Sequence, residues 1–181
     1  YADRVNPEIV YAFDTTHKIY ISHDTGDTFV QYPVPDDVPE CILNLIDTMD
    51  KSSLCIERGR TGTFYMALGV DGIWKMQYNI TDDKITFKKI TDGNKTFYRI
   101  GLGIGPDGDF LRGLKSIYAA AIIDGVYGFY RSDDDGASWL RINNDNQMFG
   151  QIDCICGDAR SFGRFYIATG SRGLLYGEPI Q

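Results

Sequence analysis

Residues 117–139, IYAAAIIDGVYGFYRSDDDGASW, contain the clearest structural signal in this chain. An apolar run comes first, a glycine-bearing turn follows, and a second run rich in aromatic residues leads into an eight-residue polar turn at 132–139. Apolar and aromatic side chains favour strands, and glycine supplies the backbone conformations that tight turns need. The stretch therefore predicts two neighbouring antiparallel strands and a structured turn after them.

The same arrangement occurs four times along the 181 residues. The tyrosines that mark it, Tyr11, Tyr65, Tyr118 and Tyr166, are 54, 53 and 48 residues apart. A period of about 50 residues with several strands in each unit is typical of the blades of a β-propeller. We predict an all-β fold in which residues 1–181 form the C-terminal part of a β-propeller domain, about three and a half blades, since the fourth copy lacks its outer hairpin.

An incomplete propeller leaves a strand edge and a blade face uncovered, and both favour aggregation. The repeat count therefore predicts a partner that contacts the first and last repeats, around Tyr11 and Tyr166. That partner would be an upstream propeller segment of the same protein or a separate chain.

Two of the four copies continue into turns with the shared pattern Ser-x-Asp-x-Gly-x-(Ser/Thr)-aromatic. Aspartate can accept hydrogen bonds from nearby backbone N–H groups, and glycine permits a left-handed backbone, so the pattern indicates a structural turn. It resembles the Asp-box (BNR-like) turn of sialidase-type propellers, and we expect both aromatic residues to pack in the core. The residues concerned are Ser22, Asp24, Gly26 and Phe29 in the first turn, and Ser132, Asp134, Gly136 and Trp139 in the second.

The second copy has no intact turn of this kind, and residues 77–84 predict a blade with an extended outer turn. The stretch 33–60 carries three prolines and two cysteines, and we expect it to be an excursion that contains a short strand or a helical turn.

The net charge of −7 disfavours binding to the polyanionic backbone of nucleic acid, and no apolar run approaches the length of about 20 residues that spans a membrane. Cys41 and Cys55 could form a disulfide if their side chains converge, whereas the Cys154-x-Cys156 pair predicts two sulfurs on one face of a strand. The cysteine spacing does not match the usual zinc motifs, so no metal and no cofactor are expected. Two sequons, at Asn79 and Asn94, predict glycosylated surface loops of a secreted, extracellular protein.

Several segments, in order from residue 3 to residue 177, resemble the xyloglucan-active enzymes of glycoside hydrolase family seventy-four. The combination of the turn at 132–139 with Arg-Ile-Asn and a terminal Gly-Arg-aromatic strand pair makes the resemblance specific. Ala159 stands where the family usually has proline, and Gln147-Met148 replaces a His-Gln pair. The segments are 3–7 (DRVNP), 124–134 (DGVYGFYRSDD), 139–143 (WLRIN), 149–150 (FG), 157–160 (GDAR), 163–169 (GRFYIAT) and 172–177 (RGLLYG).

The resemblance implies two seven-bladed propellers that face each other across a cleft holding a β-1,4-glucan with xylose branches. It also implies hydrolysis with inversion by two aspartates, about 6.5–9.5 Å apart. Both aspartates lie upstream of the segment that resembles 3–7, so no catalytic residue is assigned to this chain. The chain would complete one wall of the cleft in a secreted glycoside hydrolase acting on xyloglucan.

Two alternatives remain open. The chain could belong to a non-catalytic propeller that binds carbohydrate or protein, because a fold does not imply a function. It could also be an independent hydrolase that uses acidic residues such as Asp107, Asp109, Asp133 and Asp135. Sugar rings stack on exposed aromatic residues, and amides can bond to hydroxyl groups. The candidate sugar contacts are therefore Trp74, Tyr98, Asn143, Asn144, Gln147 and Phe149.

Overall fold

The structure is a computed structural model that describes residues 1–14, 18–39, 54–108 and 116–179. In these ranges the chain forms fourteen strands in four antiparallel sheets, and none of the described residues is helical. The all-β prediction is confirmed. In this part of the chain there is accordingly no helix with the length and hydrophobicity to cross a membrane.

Each sheet is a meander of strands consecutive in sequence. The first contains β1 (Val10–Asp14), β2 (Lys18–Ser22) and β3 (Val30–Tyr32). The second contains β4 (Leu54–Ile56), β5 (Thr63–Ala67), β6 (Ile73–Asn79) and β7 (Lys84–Lys89). The third contains β8 (Lys95–Gly103), β9 (Ser116–Ile123), β10 (Val126–Ser132) and β11 (Leu140–Arg141). The fourth contains β12 (Ile152–Gly157), β13 (Phe165–Thr169) and β14 (Gly173–Gly177).

The four marker tyrosines occupy β1, β5, β9 and β13, so each sequence repeat is one sheet. The region 33–60 contains a short strand, β4, as expected. The prediction of an extended outer turn in the second sheet is wrong. There the strands β6 and β7 are long and pair as far as Asn79 and Lys84, so that a tight turn of residues 80–83 joins them.

The backbones of β8 and β12 run side by side at close range. A methyl group added at Gly101 would lie 2.0 Å from the carbonyl oxygen of Ile155, and one added at Gly103 would lie 2.7 Å from the Cα of Gly157. Arg99 donates a hydrogen bond of 3.2 Å from its Nε to the carbonyl oxygen of Asp153. Two strands can approach this closely only where one side chain is absent, so the glycines set the distance between the third and fourth sheets.

Apolar side chains fill the spaces between successive sheets. Between the first and second sheets, Tyr11 and Phe64 lie edge to face at 4.8 Å, and both are buried. Between the second and third, Ile73 shares a buried cluster with Phe97, and Phe97 packs on Trp139 at 4.9 Å. Between the third and fourth, Tyr118 stacks on Phe165 at 5.9 Å. Each core therefore belongs to a pair of sheets, as in a propeller.

The two polar turns, here named the Ser-Asp-Gly turns (residues 22–29 and 132–139), share one hydrogen-bond network. In the first, the Ser22 hydroxyl accepts a bond from the Gly26 N–H (2.8 Å), and Asp24 accepts bonds from the Thr28 N–H (2.9 Å) and hydroxyl (2.5 Å).

In the second turn, Ser132 accepts from the Gly136 N–H (2.9 Å), and Asp134 accepts from the Ser138 N–H (2.8 Å) and hydroxyl (2.5 Å). Asp135 precedes Gly136 at a positive φ of 58°. The turns are therefore structural elements with the same geometry.

The expectation that both aromatic residues of these turns pack in the core holds only for the second turn. Trp139 packs between the second and third sheets, and its indole N–H donates to the Gly136 carbonyl (3.0 Å). Phe29, by contrast, is 43% exposed. The second turn rests on Ile90 of the preceding sheet, whereas nothing lies within 4 Å of the corresponding position at Gly26. Phe29 is exposed because no sheet precedes the first one within the described residues.

We expect Gly101→Ala to lower the free energy of unfolding by about 3 kcal/mol or more, because the new methyl group would collide with the backbone of β12. Gly170→Ala is the matched control, since Gly170 has no atom nearer than 3.8 Å to the added carbon, and its effect should stay within about 0.5 kcal/mol. Urea unfolding of the two variants measures the difference. Equal stabilities would show that β8 and β12 are not in close contact.

Hydrogen bonds from Ser22 and Thr28 lower the pKa of Asp24 from its ordinary value of 3.8 to about 2. A carboxylate with a lowered folded-state pKa stabilises the protein above the unfolded value, and this contribution disappears as the pH falls through the folded value. We therefore expect Asp24→Asn to be less stable than the wild-type chain at pH 5, and the difference to shrink between pH 4 and pH 2.

Chemical unfolding at several pH values provides the measurement. Asp27→Asn, in the same turn, is the control. A difference between Asp24→Asn and the wild-type chain that does not change with pH would contradict this role of Asp24.

Candidate functional site

The six candidate sugar contacts lie toward the same ends of the strands, here named the upper ends. These are the ends that the connections 68–72 (β5 to β6), 124–125 (β9 to β10) and 142–151 (β11 to β12) join. The Ser-Asp-Gly turns connect the opposite, lower ends. The strand order alone thus separates the sugar candidates from the structural turns.

The candidates in the connection between β11 and β12 mostly bond to one another. Asn143 accepts a hydrogen bond from the Phe129 N–H (2.8 Å) and donates from its amide to the carbonyl oxygens of Asn144 and Gln147. The Gln147 side chain accepts from the Asn144 N–H at 3.0 Å. Phe149 is half-buried and stacks on Phe129 at 6.2 Å with an interplanar angle of 8°. These residues shape the loop, and Asn143 and Phe149 are poorly placed to contact a ligand.

Trp74 is separate from this loop. It lies on β6, is half-buried, packs against the core between the first two sheets, and donates from its indole N–H to the Asp71 carbonyl (3.2 Å). The structure therefore places the six candidates in more than one location, and Trp74 does not join the others.

Tyr98 is the candidate with the most open ring, at 43% exposure, and it lines a groove of about 450 Å³ between the third and fourth sheets. Its ring lies 6.4 Å from that of Tyr127 at an angle of 56°. Burial raises the pKa of Tyr127, and Tyr98 adds to the effect. The groove is lined by Tyr98, Arg99, Tyr127, Gly150, Gln151 and Ile152.

Among the groove residues that sequence reasoning missed, three carry polar groups: Arg99, Tyr127 and Gln151. They come from β8, β10 and the start of β12, and no local motif links them. Arg99 is only 9% exposed and is held by bonds to the carbonyl oxygens of Tyr98 (2.7 Å) and Asp153 (3.2 Å). A groove with one open aromatic ring and a few fixed polar groups suits a small neutral polar ligand.

A second feature missed from sequence is a carboxylate eight residues before three of the four marker tyrosines, at the lower ends. Asp3 accepts from the Tyr11 hydroxyl (3.0 Å) and from the N–H groups of Val5 and Asn6. Asp158 does the same with the Tyr166 hydroxyl (2.8 Å) and the N–H groups of residues 160 and 161. The constant spacing was visible in the sequence and would have predicted the pairs.

Asp3 also joins two sheets, because its carboxylate accepts a bond of 2.7 Å from the N–H of Gly62, in the loop between β4 and β5. Asp3 is only 6% exposed. Burial, followed by the charge and hydrogen bond of Asp3, raises the pKa of Tyr11. The tyrosine hydroxyl therefore stays protonated and acts as the donor.

Glu57 is the counterpart of Asp3 in the second sheet, eight residues before Tyr65, but the Tyr65 hydroxyl donates to Asp135. Burial raises the pKa of Glu57, while Lys75 and Arg60 act in the opposite direction. Among the described carboxylates with a shifted pKa it is the one that is raised, as a general acid requires. It is, however, only 4% exposed and does not line the Tyr98 groove. We interpret it as part of the packing between sheets.

The acidic residues proposed for an independent hydrolase have other partners. Asp133 accepts from the Ser116 hydroxyl (2.6 Å) and from Arg131 (3.1 Å). Asp135 accepts from the Tyr65 hydroxyl (2.7 Å) and pairs with Lys75 (2.9 Å), so it links the second and third sheets. Asp107 also interacts with another group of the protein, and Asp109 lies outside the described residues.

The cysteines Cys55, Cys154 and Cys156 are free thiols, and Cys41 lies outside the described residues. The three thiols, together with Arg4 and Arg58, line a cavity of about 310 Å³ between the strands β4, β8 and β12. Both sulfurs of the Cys154-x-Cys156 pair therefore lie on one side of β12, while Ile155 is buried. No group of three or more metal-ligating side chains is found within the described ranges.

Both sequon asparagines are exposed. Asn79 ends β6, donates to Asp82 (2.7 Å) and accepts from the Thr81 N–H (3.0 Å). Asn94 lies between β7 and β8. Glycosylation at these positions stays a prediction.

The four meandering sheets, with glycine contact between β8 and β12 and a core between each pair of neighbours, define a partial β-propeller. The crystal structure of the GH74 xyloglucanase from Xanthomonas campestris has the same fold over 99% of this chain and 23% of its own, with a TM-score of 0.73 and 29% identity. No family model matches the sequence.

Two curated relatives are similar in sequence. A xyloglucanase from a Paenibacillus species is 34% identical over 184 residues, and the xyloglucanase Xgh74A of Acetivibrio thermocellus is 38% identical over 182 residues. Each alignment covers 99% of this chain but spans only 16% and 19%, respectively, of the relative's length. The chain is thus homologous to a C-terminal part of GH74 xyloglucanases, as the sequence resemblance indicated.

We expect Asp3→Ala to lower the free energy of unfolding by about 2–4 kcal/mol, because the buried Tyr11 hydroxyl and the Gly62 N–H would both lose their acceptor. Asp37→Ala, at an exposed position, is the control and should change stability by no more than about 0.5 kcal/mol. Thermal and urea unfolding measure both. A small effect of Asp3→Ala would contradict its role as a link between the first two sheets.

Proposed function

We propose that this chain forms part of a propeller in a glycoside hydrolase that acts on xyloglucan, and that it contributes to the wall of the substrate cleft without supplying the catalytic acid and base. The homology to GH74 xyloglucanases over 99% of the chain carries this proposal. The Tyr98 groove supports it, since an open aromatic ring with fixed polar neighbours suits a sugar ring.

The fourth sheet supports a larger assembly. One apolar residue in each sheet holds the same position, because it pairs with the residue two positions after the marker tyrosine on the neighbouring strand. These residues are Ile19, Ile73, Phe129 and Leu174. The first three are at most 1% exposed because the next sheet covers them, whereas Leu174 is 71% exposed. We infer that a further propeller segment covers Leu174 in the active protein, in keeping with relatives that are longer single chains.

Three finer assignments belong to the same proposal. The Ser-Asp-Gly turns would be Asp-box turns, on the basis of their shared hydrogen bonds. The protein would be secreted, because xyloglucan is a polysaccharide of the extracellular space. Asn79 and Asn94 would then carry glycans, and their exposure is compatible with this modification.

The isolated chain should release no reducing sugar from xyloglucan, and adding the remaining part of the complete protein should restore turnover. A reducing-sugar assay with purified components measures both. Turnover by the isolated chain would overturn the assignment of the acid and base to other segments. A complete protein that binds xyloglucan but does not cleave it would favour the alternative, a non-catalytic binding propeller.

We expect Leu174→Asp to change the thermal stability of the isolated chain only slightly, because the side chain is already exposed there. In the complete protein the same change should lower the melting temperature, since a buried charge without a partner is costly. Val70→Asp, at a position that is 78% exposed, is the control for an added charge. Equal effects of Leu174→Asp and Val70→Asp in the complete protein would refute the covering segment.

A further inference from the structure

Two arginines hold equivalent positions in the first two repeats and have no ionic partner among the described residues. Arg4 follows Asp3 and Arg58 follows Glu57, so each stands seven residues before its marker tyrosine. Both arginines are exposed. Neither side chain forms an ion pair or a hydrogen bond with any residue in the described ranges. Their two positive charges are therefore uncompensated within this part of the chain.

The carboxylates that precede the two arginines are committed to other groups. Asp3 accepts hydrogen bonds from the Tyr11 hydroxyl (3.0 Å) and from the Gly62 N–H (2.7 Å), among others. Glu57 is buried and pairs with Arg60 at 3.9 Å. The repeat thus places each arginine directly after a carboxylate that does not pair with it.

Arg4 and Arg58 line the cavity of about 310 Å³ between β4, β8 and β12, together with the three thiols. Burial raises the pKa of Cys55, Cys154 and Cys156. Arg58 acts in the opposite direction on the pKa of Cys156, so its charge reaches the cavity wall. Because the thiols stay protonated at neutral pH, they add no negative charge. The described side chains that line the cavity therefore carry two positive charges and no negative one, in a chain whose net charge is −7.

The chemistry and size of the cavity restrict its ligand. A guanidinium group presents a planar set of N–H donors that matches the oxygens of a phosphate, sulfate or carboxylate group. Two like charges that face one cavity repel each other, and a bound anion offsets this repulsion. The volume is near the lower limit of the range of roughly 300–1,000 Å³ for small-molecule sites. These properties favour a small oxyanion over a larger organic ligand.

We propose that this cavity is a binding site for a small tetrahedral oxyanion, sulfate or inorganic phosphate, held by Arg4 of the first repeat and Arg58 of the second. The bound anion then connects the first two sheets. The site is separate from the Tyr98 groove and shares no lining residue with it. The proposal therefore does not depend on the proposed function, and its failure would leave that function unaffected.

The test uses the complete natural protein with sodium sulfate or sodium phosphate, and sodium chloride holds the ionic strength constant. Arg4→Gln and Arg58→Gln each remove one guanidinium group, and neither change breaks a contact among the described residues. Arg172→Gln is the matched control, because Arg172 is exposed and does not line the cavity. Calorimetry gives the dissociation constants, and thermal unfolding without added anion checks that each variant is folded. Alkylation by iodoacetamide, followed by mass spectrometry, reports on the access to Cys154 and Cys156.

We expect the wild-type protein to bind sulfate or phosphate, and the bound anion to slow alkylation of Cys154 and Cys156. Arg4→Gln and Arg58→Gln should each weaken binding about tenfold or more, since each removes charge-assisted hydrogen bonds, whereas Arg172→Gln should change it less than about twofold. A wild-type protein that binds neither anion would overturn the proposal, and so would equal weakening by all three variants.

A structure of the complete protein supplies one more test. A carboxylate side chain from another segment, seated between Arg4 and Arg58, would also overturn the anion site, because the two arginines would then pair with the protein itself. Sulfate or phosphate bound between the two guanidinium groups would confirm it.

Discussion

The close contact between the backbones of β8 and β12 is the constraint on which the arrangement of the third and fourth sheets depends. Gly101 and Gly103 let β12 approach within a distance at which any side chain would collide. This contact sets the spacing of the two sheets, and with it the width of the Tyr98 groove between them. It also brings Arg99 within reach of the Asp153 carbonyl. A packing requirement at the centre of the fold therefore shapes the surface that we assign to sugar binding.

Polar links between sheets supplement the apolar cores. Asp3 accepts from Gly62 in the next sheet, and Asp135 in the third sheet accepts from Tyr65 in the second. Because the buried partners, Asp3 and the Tyr65 hydroxyl, are hydrogen-bonded, their burial costs little free energy, and the bonds connect neighbouring sheets. The upper strand ends remain available for a ligand, since the Ser-Asp-Gly turns join the lower ends. Structural and candidate binding roles are thus separated along each strand.

The accuracy of the sequence-based predictions varied with how local the signal was. The hairpins and the identity of repeats with sheets followed from patterns within a few residues. The packing of Phe29 did not follow from such a pattern, because it depends on a neighbouring sheet. The prediction of an extended outer turn in the second sheet was wrong, because strand pairing continues through residues that resemble a loop. The carboxylate eight residues before Tyr11 and Tyr166 was a readable signal that the repeat alignment did not use.

The all-β class, the four repeats, the two Ser-Asp-Gly turns and the resemblance to GH74 could be predicted, because each rests on residue order and spacing. Which candidates meet at one surface depends instead on how the sheets pack. The tertiary structure removed Trp74 from the group, committed Asn143 to its own loop, and assembled Tyr98, Arg99, Tyr127 and Gln151 from separate strands. The physical reason is that a groove between sheets arises from residues far apart in the chain, and their proximity depends on backbone contacts such as that at Gly101.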